Sequence, residues 1–210
     1  MDRLFNMDNK LTRLLGKLAN LVFLQLLTLI CCLPIITAGA SLTAMHRVLL
    51  QLSRDEEGSI TKAFFHSFRI NFRQATIIWI FFILLFLALY LDRAFLSGTI
   101  SSAFFIMRYL LSIILILAIV SLNWIFVVLS RYNNSIWGSL RSAILVGISH
   151  PLHSLAMVIL MLLPPLALLF SLRMLPFVVL LGVTLPGYLQ TFIYGRIFDK
   201  LENASTETSS

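Results

Sequence analysis

Charged residues are absent from five long stretches of the chain, 18–46, 74–91, 109–130, 142–172 and 174–195. Each stretch approaches or exceeds the roughly 20 residues that a helix needs to cross about 30 Å of hydrocarbon. Buried helices of soluble proteins also lack charge, but five of them in 210 residues would leave almost nothing to face water. The pattern predicts an all-α, polytopic helical membrane protein with five main hydrophobic segments, occupying residues 1–201 as one membrane domain. The polar tail, 202–210, has nothing to fold against.

Polar interruptions give the rest of the organisation. On a helical wheel Leu4, Met7, Leu11, Leu14, Leu15 and Leu18 form one stripe, with Arg3, Lys10, Arg13 and Lys17 beside it. Residues 1–18 therefore predict an amphipathic leader in the headgroup plane, or else a polar leader held there by charge alone. The apolar region that follows, 19–52, is broken by Pro34 and relaxed by Gly39, and its second half carries Ser41, Thr43, His46 and Arg47. It permits one long kinked helix or a broken helical hairpin that enters and returns. Residues 53–73 predict a polar connection with a second interfacial helix after Ser59, Phe64, Phe65, Phe68 and Phe72 on one side and Lys62, His66, Arg69 and Arg73 next to them. Pro151 and Pro164-Pro165 predict one span with a kinked or unwound end, and Pro186-Gly187 a bend in the last span.

Composition agrees with this outline: 12% of the residues are charged, against about 25% in a soluble domain. The net charge of +7 would suit nucleic acid, but the basic residues flank apolar segments, where anionic headgroups account for them. Membrane lipid is the expected partner, and no nucleic acid is. Lys and Arg number 4 in the leader, 4 in 53–73, 2 in 130–142 and 2 in the tail, against 2 in 92–108 and 1 at Arg173. The bias predicts a multi-pass protein of the plasma membrane with 53–73, 130–142 and the C-terminus in the cytoplasm. It also favours the returning hairpin, because a single crossing of 19–52 would send the leader outside. Ala38-Gly39-Ala40 after an apolar run imitates a signal cleavage site, yet the run from Leu18 to Ile36 exceeds a usual signal core. Retention is expected. Adjacent Cys31 and Cys32 cannot staple a framework and read as small buried hydrophobes.

Candidate chemistry is sparse. His150 and His153 are three apart and could share a face, but no carboxylate or thiol stands near them in sequence and a zinc site needs three or four ligands. A metal site is disfavoured, and no cofactor is expected. His46 and Arg47 would be costly at mid-membrane and functional if there; near the boundary Arg47 snorkels and the pair is an anchor. Asn123, beside Trp124 in an apolar stretch, reads as interhelical glue or a ligand contact. No Asp or Glu lies inside any apolar stretch, which argues against a carboxylate-based ion pump. No phosphate-binding loop, nucleophile elbow or zinc-peptidase motif occurs, so an enzyme is not expected.

Two groups of residues carry a resemblance. Leu4-Phe5-Asn6-Met7-Asp8-Asn9 followed by Cys31-Cys32-Leu33-Pro34-Ile35-Ile36-Thr37-Ala38-Gly39-Ala40-Ser41-Leu42-Thr43-Ala44, and then Phe64-Phe65-His66-Ser67-Phe68-Arg69-Ile70-Asn71-Phe72, resemble the YesL-like family of uncharacterised bacterial membrane proteins. The resemblance is densest over 4–75. It implies a multi-pass plasma-membrane protein with an association to carbohydrate uptake, and it carries over no catalytic residue. Pro34, Gly39, Thr43, Phe68 and Asn71 are the shared positions, which read physically as helix break, close packing and interfacial docking. The docking surface then comprises Phe64, Phe65, Phe68, Arg69, Asn71, Phe72 and Arg73. The function expected is a non-catalytic membrane partner or regulator of another membrane protein, a carbohydrate transporter among the candidates; the alternative is a small-solute transporter.

Overall fold

The computed structural model describes residues 2–56, 58–96, 102–131 and 136–207. The turn around Tyr132 to Ser135, the centre of the connection at Gly98 and the last three residues lie outside them, as do the leader's side chains through Leu11. The described residues form eight α-helices: α1 (Asp2–Cys32), α2 (Ala38–Ser53), α3 (Ile60–Leu96), α4 (Ser102–Arg131), α5 (Ile136–Ser149), α6 (Pro151–Phe170), α7 (Leu175–Leu181) and α8 (Thr184–Glu207). Among the described residues five stretches are long and apolar enough to cross a membrane, and α7 with α8 forms a further pair bent by 54°. The protein is an all-α, multi-pass membrane protein.

The first apolar region is a hairpin. Pro34 has no N–H and holds Leu33 out of the helical region, so α1 stops at Cys32 and a 3₁₀ turn, Ile35–Thr37, reverses the chain. The Thr37 hydroxyl lies 2.6 Å from the Cys31 carbonyl oxygen, taking up one of the acceptors that the break frees. Lys17 Nζ meets Asp55 Oδ1 at 2.7 Å, so the middle of α1, where the leader gives way to the apolar segment, lies beside the chain just after α2. The leader is helical from Asp2 and continuous with α1; it is not a separate element.

α2 occupies the centre. Its Gly39, Ala40, Ser41, Thr43, Ala44, Met45, His46, Val48, Leu49 and Leu50 are buried, and this explains the polarity of the second half of region 19–52: the helix faces protein, where hydroxyls find partners. Ser41 Oγ donates to the Thr28 carbonyl at 3.0 Å and Thr43 Oγ1 to that of Gly39 at 2.9 Å. At Gly39 an added Cβ would come within 2.7 Å of both the Ala75 carbonyl oxygen and Trp79 Cβ. α2 and α3 therefore pack with their backbones nearly touching, in the manner of small-residue contacts between membrane helices. The indole of Trp79 closes the arrangement by donating to the Ile35 carbonyl at 2.7 Å.

Four expectations are corrected. The separate interfacial helix in 53–73 is instead the beginning of α3, which runs 37 residues, or about 55 Å at 1.5 Å per residue. No Gly or Pro occurs between Ile60 and Leu96 to stop it. The bend expected at Pro186-Gly187 falls one turn earlier, at Gly182–Val183, because Pro186 sits in the first turn of α8, where no N–H is needed. The interruption in the fourth segment lies at His150, with Pro151 opening α6, while α6 continues unbroken through Pro164 and Pro165. At the C-terminal end α8 keeps its course to Glu207, beyond the boundary expected at residue 201, since Asp199 to Glu207 contains no helix breaker.

Candidate functional site

Two cavities flank α2. The larger, about 370 Å³, is walled by α2, α4, α6 and the α7–α8 bend, with Trp79 of α3 at one side. Its lining is mostly apolar, including Leu42, Met45, Leu122, Phe126 and Met161, with three prolines, Pro164, Pro165 and Pro186, and two glycines, Gly182 and Gly187. Those residues explain why a space exists there. Pro164 and Pro165 leave the carbonyls of Leu160 and Met161 without their helical donors, and Gly187 lets α8 approach Leu49, whose Cδ1 would lie 2.8 Å from an added Cβ.

Three polar side chains reach this wall: His46 of α2, Asn123 of α4 and Gln190 of α8. Asn123 Nδ2 points to Met161 Sδ at 3.6 Å, a weak acceptor, while Gln190 Nε2 donates to the Met157 carbonyl at 2.9 Å. His46 is buried, stands edge-on to Tyr194 with ring centroids 6.0 Å apart, and its Nδ1 has no hydrogen-bond partner among the described residues. An unpaired buried nitrogen costs about 1–3 kcal/mol, so a guest that hydrogen-bonds to it would recover that cost. The cavity fits a compact, largely apolar molecule carrying one or two hydrogen-bonding groups.

His46 and Arg47, adjacent in sequence, part company here. Arg47 turns to the second cavity, about 230 Å³, lined by α2, α3 and the end of α4 and including His66, Ser67, Asn71, Ser130 and Arg131. Its Nη1 donates to the Ser130 carbonyl at 3.2 Å. Asn71 is buried, with Nδ2 bonded to the Ser67 carbonyl at 3.0 Å and to its hydroxyl at 3.3 Å.

The expected docking surface divides along α3. Phe64 is fully buried against Val48, Leu49 and the α1 leucines, Phe68 packs on the same cluster, and Asn71 faces inward. Phe65, Arg69, Phe72 and Arg73 remain exposed, together with Lys62. The reason is angular: at 100° per residue Phe64, Ser67, Asn71 and Ala75 fall on one face and Lys62, Phe65, Arg69, Phe72 and Arg73 within about 100° on another. The grouping of all four phenylalanines is thereby corrected.

His150 and His153 are neighbours, ring centroids 5.7 Å apart, at the α5–α6 break. No group of three or more His, Cys, Asp or Glu that could hold a metal is found among the described residues. Trp124, beside Asn123, donates to Ser154 Oγ at 2.8 Å, and Ser154 in turn donates to the Gly147 carbonyl at 2.9 Å, which seals the kink. Sequence reasoning passed over Gln25, whose Oε1 accepts from the backbone N–H of Val183 at 3.1 Å and of Thr184 at 2.8 Å and so caps α8 from α1. It passed over Gln190 as well. Both are amides inside charge-free stretches, the same signal that singled out Asn123.

Residues 18–93 match a family profile described as protein of unknown function, DUF624. The match runs from α1 through most of α3, and over that part it agrees with the uncharacterised bacterial membrane family that the N-terminal motifs resemble. No curated protein matches the chain, and no solved structure matches it.

Proposed function

We propose that the protein is a non-catalytic membrane subunit or regulator that assembles with another membrane protein, with a carbohydrate uptake system as the partner that the family resemblance suggests. The observation that carries this reading is the exposed stripe on the polar end of α3, where Lys62, Phe65, Arg69, Phe72 and Arg73 share one face. Aromatic and Arg side chains side by side are the residue types that dominate interface energetics. Bilayer headgroups also hold such a face, so the test separates the two. Arg69→Gln with Arg73→Gln should abolish recovery of a membrane partner in a mild-detergent pull-down while the protein stays in the membrane fraction on Phe65 and Phe72. Unchanged recovery of the partner, or a wild-type protein that comes through alone from cells grown on a range of polysaccharides, removes this reading.

Transport of a small solute is the second reading, favoured by the 370 Å³ cavity beside helices broken at Gly182 and His150. A sugar is a poor occupant of it. Hydroxyls on nearly every carbon would meet few polar side chains, His46, Asn123 and Gln190, and each buried hydroxyl without a partner costs about 1–3 kcal/mol. Solute-dependent flux into liposomes containing only this protein would put transport ahead of the partner reading.

A further inference from the structure

The smaller cavity has an unusual charge arrangement. Arg47 comes from α2, His66 from α3 and Arg131 from the last residue of α4, and among the described residues no Asp or Glu lines the space between them. Two guanidinium groups around about 230 Å³ repel one another. Arg47 is exposed and Arg131 half-buried, and arginines so placed can relieve such repulsion by swinging apart. These two are held: Arg47 by its bond to the Ser130 carbonyl at 3.2 Å, Arg131 over the Phe198 ring at 5.2 Å from the centroid.

The remaining lining combines polar side chains with Ala63, Ile70 and Leu129. Ser67, Asn71 and Ser130 are buried at this wall, and Gln51 closes it from α2. Asn71 Nδ2 donates to Ser67 Oγ at 3.3 Å, so that hydroxyl accepts there and keeps its own proton to give to a guest. Cations held on two helices, the Ser67 hydroxyl between them and no carboxylate among the described lining residues match what an oxyanion requires, the Ser130 hydroxyl being already given to the Val127 carbonyl at 2.7 Å. Guanidinium forks suit the spacing of phosphate oxygens in particular.

We propose that this cavity is a phosphate-binding site, taking the phosphate of either an anionic lipid headgroup or a soluble phosphomonoester with a short stem. The site binds α2, α3 and α4 together through the ligand's charge, at the end of the molecule where Lys17 and Asp55 also meet. Nothing in it depends on the partner reading, because the stripe at Phe65, Arg69 and Phe72 lies on a different face of α3.

The full chain, purified in a neutral detergent, is titrated by thermal unfolding with inorganic phosphate, with glycerol 3-phosphate, and with phosphatidylglycerol doped into the micelles, each at constant ionic strength against chloride. A saturable rise in the unfolding midpoint is expected with at least one probe. A rise with phosphatidylglycerol alone assigns the lipid headgroup, and a rise with glycerol 3-phosphate assigns the soluble ester. Arg47→Gln and Arg131→Gln should each weaken the response at least tenfold, Arg47→Lys less so, and Arg69→Gln, outside the cavity, should leave it intact. Ser67→Asp supplies a carboxylate in place of the ligand and should abolish the response even where the arginine variants fold poorly. No rise in the wild type with any probe overturns the proposal, as does a rise that survives Arg47→Gln at full strength.

Discussion

Gly39 is the residue on which the α2–α3 contact turns, because even a methyl group there would meet the Ala75 carbonyl oxygen and Trp79 Cβ at 2.7 Å. Those are a backbone atom and the root of a side chain, neither able to move without shifting a helix. Gly39→Ala should therefore lower stability by about 1–3 kcal/mol, the usual cost of overpacking, read as a lower thermal midpoint in detergent. Gly16→Ala is the internal control. Gly16 lies in a helix with nothing within 4 Å of an added Cβ, and exchanging it should be neutral or stabilising by about 0.5–1 kcal/mol. Equal effects at the two positions would mean that α2 and α3 do not pack as closely as described. At this scale the sequence was informative about type and silent about partner. Gly39 reads from sequence as a packing residue, and Asn123 as glue, from chemistry alone. That Trp79, 40 positions from Gly39 and with no polar neighbour to mark it, would close the same contact through Ile35 depends on tertiary geometry that no local spacing encodes.

Between elements, the bonds that matter join distant parts of the chain. Gln25 on α1 accepts from Val183 and Thr184 at the start of α8, two amides that a helix N-terminus leaves orphaned. Gln25→Leu keeps the side chain's approximate volume and removes the acceptor. It should cost about 1–3 kcal/mol as two buried donors lose their partner and should raise hydrogen exchange at the Val183 and Thr184 amides well before the rest of α8. Exchange that rises uniformly, or not at all, would show that α8 is capped otherwise. The same level shows why 53–73 misleads. A change from polar to apolar composition near residue 74 resembles a boundary between a loop helix and a span, but composition does not end a helix; Gly and Pro do, and α3 has neither. The four phenylalanines do not share one side of the helix as expected, because the 100° step separates Phe64 from Phe65 and Phe72 and turns it to the core. Conversely Pro34 and Pro151, each at a helix break, were legible because a missing N–H acts locally.

At the level of the whole molecule the geometry constrains relative sides, and the charge bias supplies the expectation for absolute ones. The Lys17–Asp55 contact at 2.7 Å places the leader and the connection after α2 at the same end. Both partners are solvent-accessible, so the pair contributes less than about 1 kcal/mol and is informative as a marker of topology. The count of spans was ambiguous from sequence because α2 is apolar enough to cross yet is largely buried by its neighbours, and hydropathy does not distinguish lipid from protein as the apolar surroundings. With the hairpin returning, α3, α4, the α5–α6 path and the α7–α8 pair give four further passes, and the C-terminus comes back to the side of the leader. The excess of Lys and Arg in the leader, 53–73 and 130–142 predicts that this side faces the cytoplasm. Single cysteines in a version lacking Cys31 and Cys32 should then resist an impermeant thiol reagent on intact cells at Asn6, Asn134 and Ser205, and react at Gly98. Labelling at Asn6 with protection at Ser205 would mean that region 19–52 crosses once, contrary to the contact between Lys17 and Asp55. Labelling at Asn6, Asn134 and Ser205 together, with Gly98 protected, would keep the fold and invert it in the membrane, and the cationic cavity at Arg47 would then face the outer leaflet.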